Sequence, residues 1–302
     1  YVVPSRALGA ALLEALKYSR QINWLCPAEM RDIRVTPDRA AVTVQHDGQD
    51  KTFTARLVIA ADGAHSAVRQ AMGIEALRTE YRQTAIVTTV TASLPHGNTA
   101  YERFTDTGPL ALLPQRQNDC AVVWSARAEE AKTILGWSDA EFLQRLQDRF
   151  GDRLGSFTRL GRRASYPLAL TRVPEQVRAR LALIGNAAHT VHPVAGQGFN
   201  LGLRDVAAIA DILADAQRAG DDIGDITILR RYADWRRRDN QIISLFTNGL
   251  IRIFSNNIFP LTLLRNAGLL AVDLMPGVKR GFVRVTSGLS GRLPRLARGL
   301  PL

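Results

Sequence analysis

The sequence predicts a mixed α/β (α+β) fold, in which a nucleotide-binding domain is interrupted by an antiparallel sheet and followed by a helical region. Two apolar runs, RLVIAADG before residue 64 and RLALIGN over residues 180–186, each end in small residues that lead into a helix. This is typical of strands in a parallel or mixed sheet that binds ligands at its carboxyl ends. The block between the runs alternates apolar and polar residues, as antiparallel strands do.

The first elements are a helix, a hairpin and a strand. Residues 5–17, SRALGAALLEALK, predict a helix because leucines recur at helical spacing and Ser5 stands at the capping position. The alternating run AVTVQ and a turn at residues 46–48 predict a hairpin. Its second strand ends in LVIAA, and a short helix is expected over residues 66–72.

Residues 84–126 are rich in strand patterns separated by turns at residues 95–97 and 117–119, which predicts an antiparallel sheet. The strand runs are AIVTTVTASL, YERFT, GPLALLP and CAVVWSA. Ser138 and Glu141 form a capping-box pattern that predicts a helix ending near Phe150.

Further strands are expected over residues 156–170 and 180–186. Helices should then dominate from Gly196 onward, including a long amphipathic one over residues 226–254. No internal repeat and no low-complexity linker interrupts this pattern.

Composition narrows the class of protein. The 302 residues are 46% apolar and 22% charged, which is ordinary for a globular protein. The two cysteines, Cys26 and Cys120, exclude a disulfide scaffold, lack metal-ligand spacing and fit a reducing compartment. Without a signal sequence or a long uninterrupted apolar run, we expect a cytoplasmic protein that is at most peripheral on the inner membrane.

The positive charge is concentrated at the C-terminal end. Thirteen of the basic residues and only three acidic ones fall in residues 230–302, so this region carries +10 of the net charge of +11. Apolar runs such as IISLF, NIFPLTLL and GLLAVDL interleave with the basic residues, and aromatic residues for base stacking are few. This favours an anionic membrane surface over nucleic acid, and a solvated helix face stays open as an alternative.

Two loops are candidates for binding chemistry, and the first follows the strand LVIAA. Asp62 and Gly63 stand where the chain must bend, and a glycine allows that bend. The Asp62 carboxylate suits ribose or ribityl hydroxyls, and Arg69 suits a phosphate or Asp62 itself. The alternative interpretation is a strand-to-helix turn in which the aspartate only caps the helix.

The second loop reads GNAAHTVHPVAGQGFN and opens a helix. Gly196 and Gly198 supply G-x-G, but Leu201 breaks the G-x-G-x-x-G pyrophosphate fingerprint. Small residues let a flat ligand approach the backbone, and the N–H groups at a helix start stabilise developing negative charge. A reduced flavin is such a ligand. The alternative is an ordinary glycine turn, which does not explain so many small residues.

His189 and His192 stand three residues apart, yet no Cys, Asp or Glu with ligand spacing accompanies them. We therefore expect satisfied structural histidines rather than a metal site. No Ser/His/Asp order and no G-x-S-x-G elbow is present, so no nucleophilic catalytic residue is assigned.

Together the runs A-A-D-G-A-H-S-A-V-R and L-I-G-N-A-A-H-T-V-H-P-V-A-G-Q-G-F-N-L-G-L-R-D resemble the aromatic-ring flavin monooxygenases related to para-hydroxybenzoate hydroxylase. The resemblance is closer to the hydroxylases of ubiquinone biosynthesis. The runs ERFTDTGPLALLP and SYPLAL, with Asn186 in place of the usual Asp, resemble the 2-octaprenyl-6-methoxyphenol hydroxylase branch of that family.

The resemblance implies FAD as cofactor and places residues around it. Asp62 and Gly63 would lie near the pyrophosphate, Asn186 near the ribityl chain or pyrophosphate, and Arg6 near the flavin chain. Residues of the second loop would border the isoalloxazine: Pro193, Gly196, Gln197, Gly198, Phe199 and Asn200. Leu112, Trp124 and Tyr166 would line the substrate cavity.

The resemblance also implies the reaction. NAD(P)H would reduce the FAD, O₂ would form a C4a-hydroperoxide, and the aromatic ring of a polyprenylated phenol would be hydroxylated. The basic, apolar C-terminal region would meet the inner membrane or other enzymes of ubiquinone biosynthesis. Other functions on this fold, prenyl reduction or halogenation, are the first alternative. A non-catalytic scaffold or membrane-binding module is the second.

The implied domains are the FAD-binding domain in residues 1–81 and 176–225, a substrate-binding sheet in residues 82–175 and a basic helical region in residues 226–302. The βαβ unit that carries G-x-G-x-x-G in the family has no counterpart in this sequence. We therefore expect this chain alone to bind flavin weakly and not to hydroxylate.

Overall fold

The computed structural model describes residues 2–193, 196–254, 268, 270, 272, 274–286 and 291–302. The chain forms two compact units. Unit 1 comprises Tyr1–Trp24, Glu80–Leu168 and Leu250–Asn266, and unit 2 comprises Leu25–Thr79, Ala169–Gly249 and Ala267–Leu302. Residues 1–24 thus group with the sheet of unit 1, whereas the sequence places them with the nucleotide-binding domain. The apolar run NIFPLTLL lies outside the described residues.

The α-helices of the described residues are α1 (Ser5–Lys17), α2 (Ala67–Ala71), α3 (Ala128–Gly136), α4 (Asp139–Phe150), α5 (Gln197–Ala219), α6 (Ile226–Phe254) and α7 (Pro276–Thr286). Short 3₁₀ turns occur at Asp152–Leu154, Gly185–Ala187 and Leu296–Arg298. The helices α1 and α6 have the predicted bounds, although Pro4 rather than Ser5 occupies the cap of α1.

The strands are β1 (Glu29–Val35), β2 (Ala40–His46), β3 (Gln49–Ala55), β4 (Val58–Ala60), β5 (Leu77–Ala92), β6 (Tyr101–Thr105), β7 (Gly108–Pro114), β8 (Asp119–Arg127), β9 (Phe157–Leu160), β10 (Ala164–Arg172), β11 (Val177–Arg178), β12 (Leu181–Leu183) and β13 (His189–Thr190). The strands expected from the alternating runs are therefore confirmed, and the β2–β3 hairpin turns at Asp47 and Gly48 with φ values of 52° and 75°. Both residues are of types that adopt this left-handed conformation readily. The second hairpin strand ends at Ala55, however, and the run LVIAA contains the separate strand β4.

Unit 1 is built on antiparallel strands in the order β6–β7–β8–β5, and β9 pairs with the end of β5. Alternate residues of these strands point to one face, where α3 and α4 complete the core. Trp124 is opposite Ile86 on one side and Leu110 on the other, and its ring lies 5.5 Å from that of Phe142. The predicted capping box starts α4, because the Ser138 hydroxyl accepts the Glu141 N–H at 3.2 Å.

Unit 2 contains the parallel pair predicted from the two apolar runs. Strands β4 and β12 run parallel with Leu181 opposite Val58 and Leu183 opposite Ala60, and β11 pairs with β12. Helices α5 and α6 bury an apolar cluster against β12, and the Tyr232 hydroxyl donates to the Leu183 carbonyl at 3.2 Å. Burial of this phenol raises its pKa well above the usual value.

The last residues of the chain return to α5 and α6. The Arg295 backbone N–H and Nε donate to the Asp211 carboxylate at 2.9 and 3.2 Å. The Trp235 indole donates to the Arg292 carbonyl at 3.1 Å, and the Arg292 guanidinium lies 4.1 Å from the centre of that ring. Among the described residues, no helix combines the length and hydropathy needed to cross a bilayer.

Candidate functional site

Two loops leave the carboxyl ends of neighbouring parallel strands. The DG loop, residues 61–66, follows β4, and the GN loop, residues 185–200, follows β12. Because β4 and β12 pair in parallel, both loops emerge at the same edge of the sheet. The expectation that the two runs form such an edge is confirmed.

The DG loop is held by short side chains at the start of α2. The Asp62 carboxylate accepts the Val68 N–H at 3.0 Å, and the buried Ser66 hydroxyl accepts the Arg69 N–H at 3.0 Å. Gly63 has a φ of 86°, a conformation that side chains disfavour. Ser66 is thus the N-cap of α2. Asp62 adds a second acceptor at the start of this helix, which is close to the alternative interpretation, and Asp62 is exposed.

Arg69 joins the two loops. This buried residue donates from Nη1 to the Ala187 carbonyl at 2.8 Å and from Nη2 to the Ala64 carbonyl at 2.9 Å. The structure shows these bonds rather than a pairing with Asp62. The guanidinium thus ties the DG loop to the GN loop.

The GN loop presents a mostly exposed surface of small and polar residues. Asn186, Gly196, Phe199 and Asn200 are exposed, Pro193 and Gly198 are half-buried and Gln197 is buried. Gly196, with a φ of 61°, precedes the 23 residues of α5, whose first turn contains no acidic residue. The positive end of the helix is therefore directed at the loop surface without a neutralising carboxylate.

The glycines of the two loops test whether a flat ligand fits. A Cβ placed on Gly63 or Gly196 would meet no atom within 4 Å, and one on Gly198 would meet only Val191, at 3.7 Å. A Cβ on Gly202 would lie 3.5 Å from the Gly185 Cα, an ordinary contact distance, so α5 packs against the start of the GN loop at this point. The loop backbone is thus open on the side of Gly63, Gly196 and Gly198, as the approach of an isoalloxazine ring requires.

Behind the GN loop lies a buried carboxylate that the sequence analysis did not single out. Asp205, fully buried on α5, accepts the Gly185 N–H at 2.9 Å and bonds His189 Nε2 at 2.7 Å. Its other oxygen accepts Arg236 Nε, from α6, at 2.6 Å. The sequence signal for this pair was an aspartate within the apolar pattern of one predicted helix and an arginine within the next predicted helix.

The two histidines are both buried. His189 is bonded to Asp205, as expected for a satisfied structural histidine. His192 is fully buried, and this burial lowers its pKa to about 4. Within the described part of the chain, no three His, Cys, Asp or Glu residues are grouped as metal ligands.

The residues expected to contact substrate are in unit 1 and divide into two kinds. Leu112 and Trp124 are buried in the core beneath α3 and α4, because their strands direct them to that face. Their expected place in a substrate cavity is corrected accordingly. Tyr166 is 59% exposed on β10. Arg6, also in unit 1, is exposed on α1.

The parallel strands, the two loops and the long helix together define a cofactor-binding protein of the α/β class. The model of a family described as "FAD binding domain" matches residues 27–240. The chain therefore belongs to the FAD binding domain family, and FAD is its cofactor.

Named relatives agree with this assignment, and a solved structure has the same fold. The chain is 43% identical over 305 residues to the ubiquinone hydroxylase UbiL of Rhodospirillum rubrum, covering 100% of this chain and 70% of that protein. It is 33% identical over 289 residues to the 3-demethoxyubiquinol 3-hydroxylase of Escherichia coli, covering 96% and 73%. The p-nitrophenol 4-monooxygenase PnpA of Pseudomonas putida has the same fold, with a TM-score of 0.77, 20% identity and coverage of 95% and 72%.

Proposed function

We propose that this chain supplies the flavin-ring and substrate sites of an FAD-dependent monooxygenase of a ubiquinone pathway, which hydroxylates the aromatic ring of a polyprenylated phenol with O₂ as co-substrate and NAD(P)H as reductant. The FAD-dependent hydroxylase activity follows from the family and from relatives that are themselves named as hydroxylases of ubiquinone or its precursor. The observation that carries the proposal is the pair of open loops at one edge of the parallel sheet.

The residues proposed for FAD are those that the family resemblance implies, and most of them lie on the two loops. Asp62 and Gly63 would hold the pyrophosphate region, with Asn186 beside the ribityl chain and Arg6 near the flavin chain. The ring would be bordered by residues at the start of α5: Pro193, Gly196, Gln197, Gly198, Phe199 and Asn200. FAD, when bound, supplies the redox chemistry that reduces and activates O₂.

The chain itself contributes position and electrostatics. The start of α5 directs its first backbone N–H groups and the positive end of the helix dipole at the GN loop, which stabilises negative charge on a bound ring. The small side chains of the loop let that ring approach the backbone. Arg69 fixes the distance between the DG and GN loops through two carbonyl bonds.

The substrate surface is proposed on the sheet of unit 1. On the face opposite α3 and α4, Val87 pairs with Val123, and Val123 also neighbours Ala111. These residues, with Leu113 and Ala121, are only half-buried although apolar. A contiguous apolar patch of this kind suits a polyprenylated ring, and Tyr166 is proposed as a further contact.

A second surface suits the membrane in which such a substrate dissolves. Around α7, Leu274 is 70% exposed, Met275 53% and Val278 45%. The basic Lys279 and Arg280 follow directly and are also exposed. An apolar helical surface with adjacent cations binds anionic lipid headgroups and the acyl boundary beneath them. We propose that this surface holds the enzyme on the inner membrane.

The test is an FAD titration of the chain, followed by flavin fluorescence and the visible spectrum. Gly198→Trp fills the open space at the start of α5, so we expect loss of saturable binding. Gly136→Trp is the matched control, since a Cβ on this glycine of α3 would meet no atom within 4 Å and the glycine lies in unit 1. Equal affinities for the two variants would refute the GN loop as the flavin site.

A further inference from the structure

The charged residues behind the GN loop form one connected cluster. Arg236 is 1% exposed on α6 and, besides Asp205, bonds Asp239 and the Asn240 side-chain oxygen, the latter at 3.2 Å. Arg204 joins the cluster through Asp239 at 2.7 Å. Two arginines and two aspartates are thus clustered with their formal charges balanced, and all of them are buried except Arg204, which is half-buried.

Such a cluster needs a reason other than stability. Taking ions out of water is costly, and apolar residues of similar volume often stabilise a core equally well or better. A fully hydrogen-bonded ionic cluster does define one geometry, because each partner has few alternatives. This ionic cluster therefore fixes the position of the backbone and side-chain groups that are hydrogen-bonded to it.

What Asp205 holds is the start of the GN loop. Its bonds to the Gly185 N–H and to His189 lie on either side of Asn186, at the end of β12. Arg236 fixes the carboxylate from behind through Nε, a planar donor with only one orientation. Loss of that donor would let the carboxylate rotate and release the loop.

We infer that Asp205 and Arg236 are positioning residues, an ion pair that fixes the GN loop in the shape that receives the flavin. The inference rests on the proposed function of the GN loop in holding FAD. Neither residue contacts the open surface of the loop, because both are fully buried.

The protonation state of the pair is consistent with this function. Burial by itself raises the pKa of Asp205, but the hydrogen bonds and charges of His189 and Arg236 outweigh it and the pKa lies below the usual value. The carboxylate therefore stays ionised and accepts hydrogen bonds with both oxygens at neutral pH.

The test compares two arginines that pair with aspartates of α5. Arg236→Lys keeps the charge but cannot reproduce the planar donor set, and Asp205→Asn removes an acceptor with little change of shape. Arg295→Met is the control, because it removes an ion pair with another aspartate of α5, Asp211, which does not bond the GN loop in the described structure. Hydrogen–deuterium exchange is measured without added FAD over the peptide of residues 184–190, with the melting temperature of each variant.

We expect exchange of this peptide to become at least tenfold faster in Arg236→Lys and Asp205→Asn, and to change less than twofold in Arg295→Met. The Kd for FAD should rise at least tenfold in the first two variants only, about 1.4 kcal/mol. If Arg236→Lys does not fold, Asp205→Asn decides alone.

If the exchange rate of the peptide rises in all three variants in proportion to the fall in melting temperature, the positioning inference is overturned. If the peptide exchanges faster in the two variants as expected but the wild-type chain binds no FAD, the flavin function of the loop is refuted instead. The visible spectrum of bound flavin adds a readout that general destabilisation does not move.

Discussion

The buried His192 makes the stability of the protein sensitive to mild acid. Burial lowers the pKa of this imidazole to about 4, whereas an unfolded chain titrates near its ordinary value of about 6.5. Between these values the unfolded state binds more protons than the folded state. The stabilisation is therefore present above about pH 6.5 and lost as the pH falls toward 4. From pH 7 to pH 5 the linkage relation gives a loss of about 2 kcal/mol.

The perturbation that isolates this effect is His192→Gln, which keeps a polar side chain of similar reach but does not titrate. Urea denaturation of both proteins at pH 7 and pH 5, followed by circular dichroism, gives the free energies of unfolding. Contributions of other groups cancel in the difference between the proteins. We expect the wild type to lose about 2 kcal/mol more than the variant between the two pH values. An equal loss in both would refute the assignment of the acid sensitivity to His192.

Three further predictions concern the other surfaces and the core. In the active monooxygenase, Val123→Glu should lower kcat/KM for a polyprenylated phenol at least tenfold in steady-state assays, while Val123→Thr, of the same shape, should lower it much less. The Leu274→Glu, Val278→Glu double variant should lose binding to anionic phosphatidylglycerol vesicles in a sedimentation assay, and Phe53→Glu, on the exposed side of β3, should retain it. Phe142→Ala should lower the free energy of unfolding of unit 1 by about 3–5 kcal/mol in urea denaturation, because a fully buried ring is removed.

Local structure was largely predictable because its causes are local. The helix α6 has the bounds that its amphipathic pattern predicts, and Ser138 caps α4 through the hydroxyl that the capping box assigns to it. The parallel pairing of β4 and β12 followed from two apolar runs ending in small residues. In each case the residues that decide the structure are neighbours in the sequence.

The wrong predictions and the missed contacts concern side chains whose partners are far away in the sequence. Leu112 and Trp124 lie in strands that are apolar on both faces, so alternation alone does not tell the core face from the open one. Arg69 finds its acceptor 118 residues away, at Ala187. The link from Asp205 to Arg236 spans 31 residues and joins two helices, which no local spacing rule connects.

The placement of charge explains why the GN loop can be both well fixed and receptive to an anion. No Asp, Glu, Lys or Arg occurs from residue 185 to residue 203, so the loop surface has no fixed ionic charge of its own. The carboxylate that fixes the loop is buried behind it and is neutralised there by Arg236. The field at the surface is therefore dominated by the start of α5, which favours negative charge. A carboxylate moved from position 205 into the loop would support the backbone but oppose the charge that a reduced flavin develops.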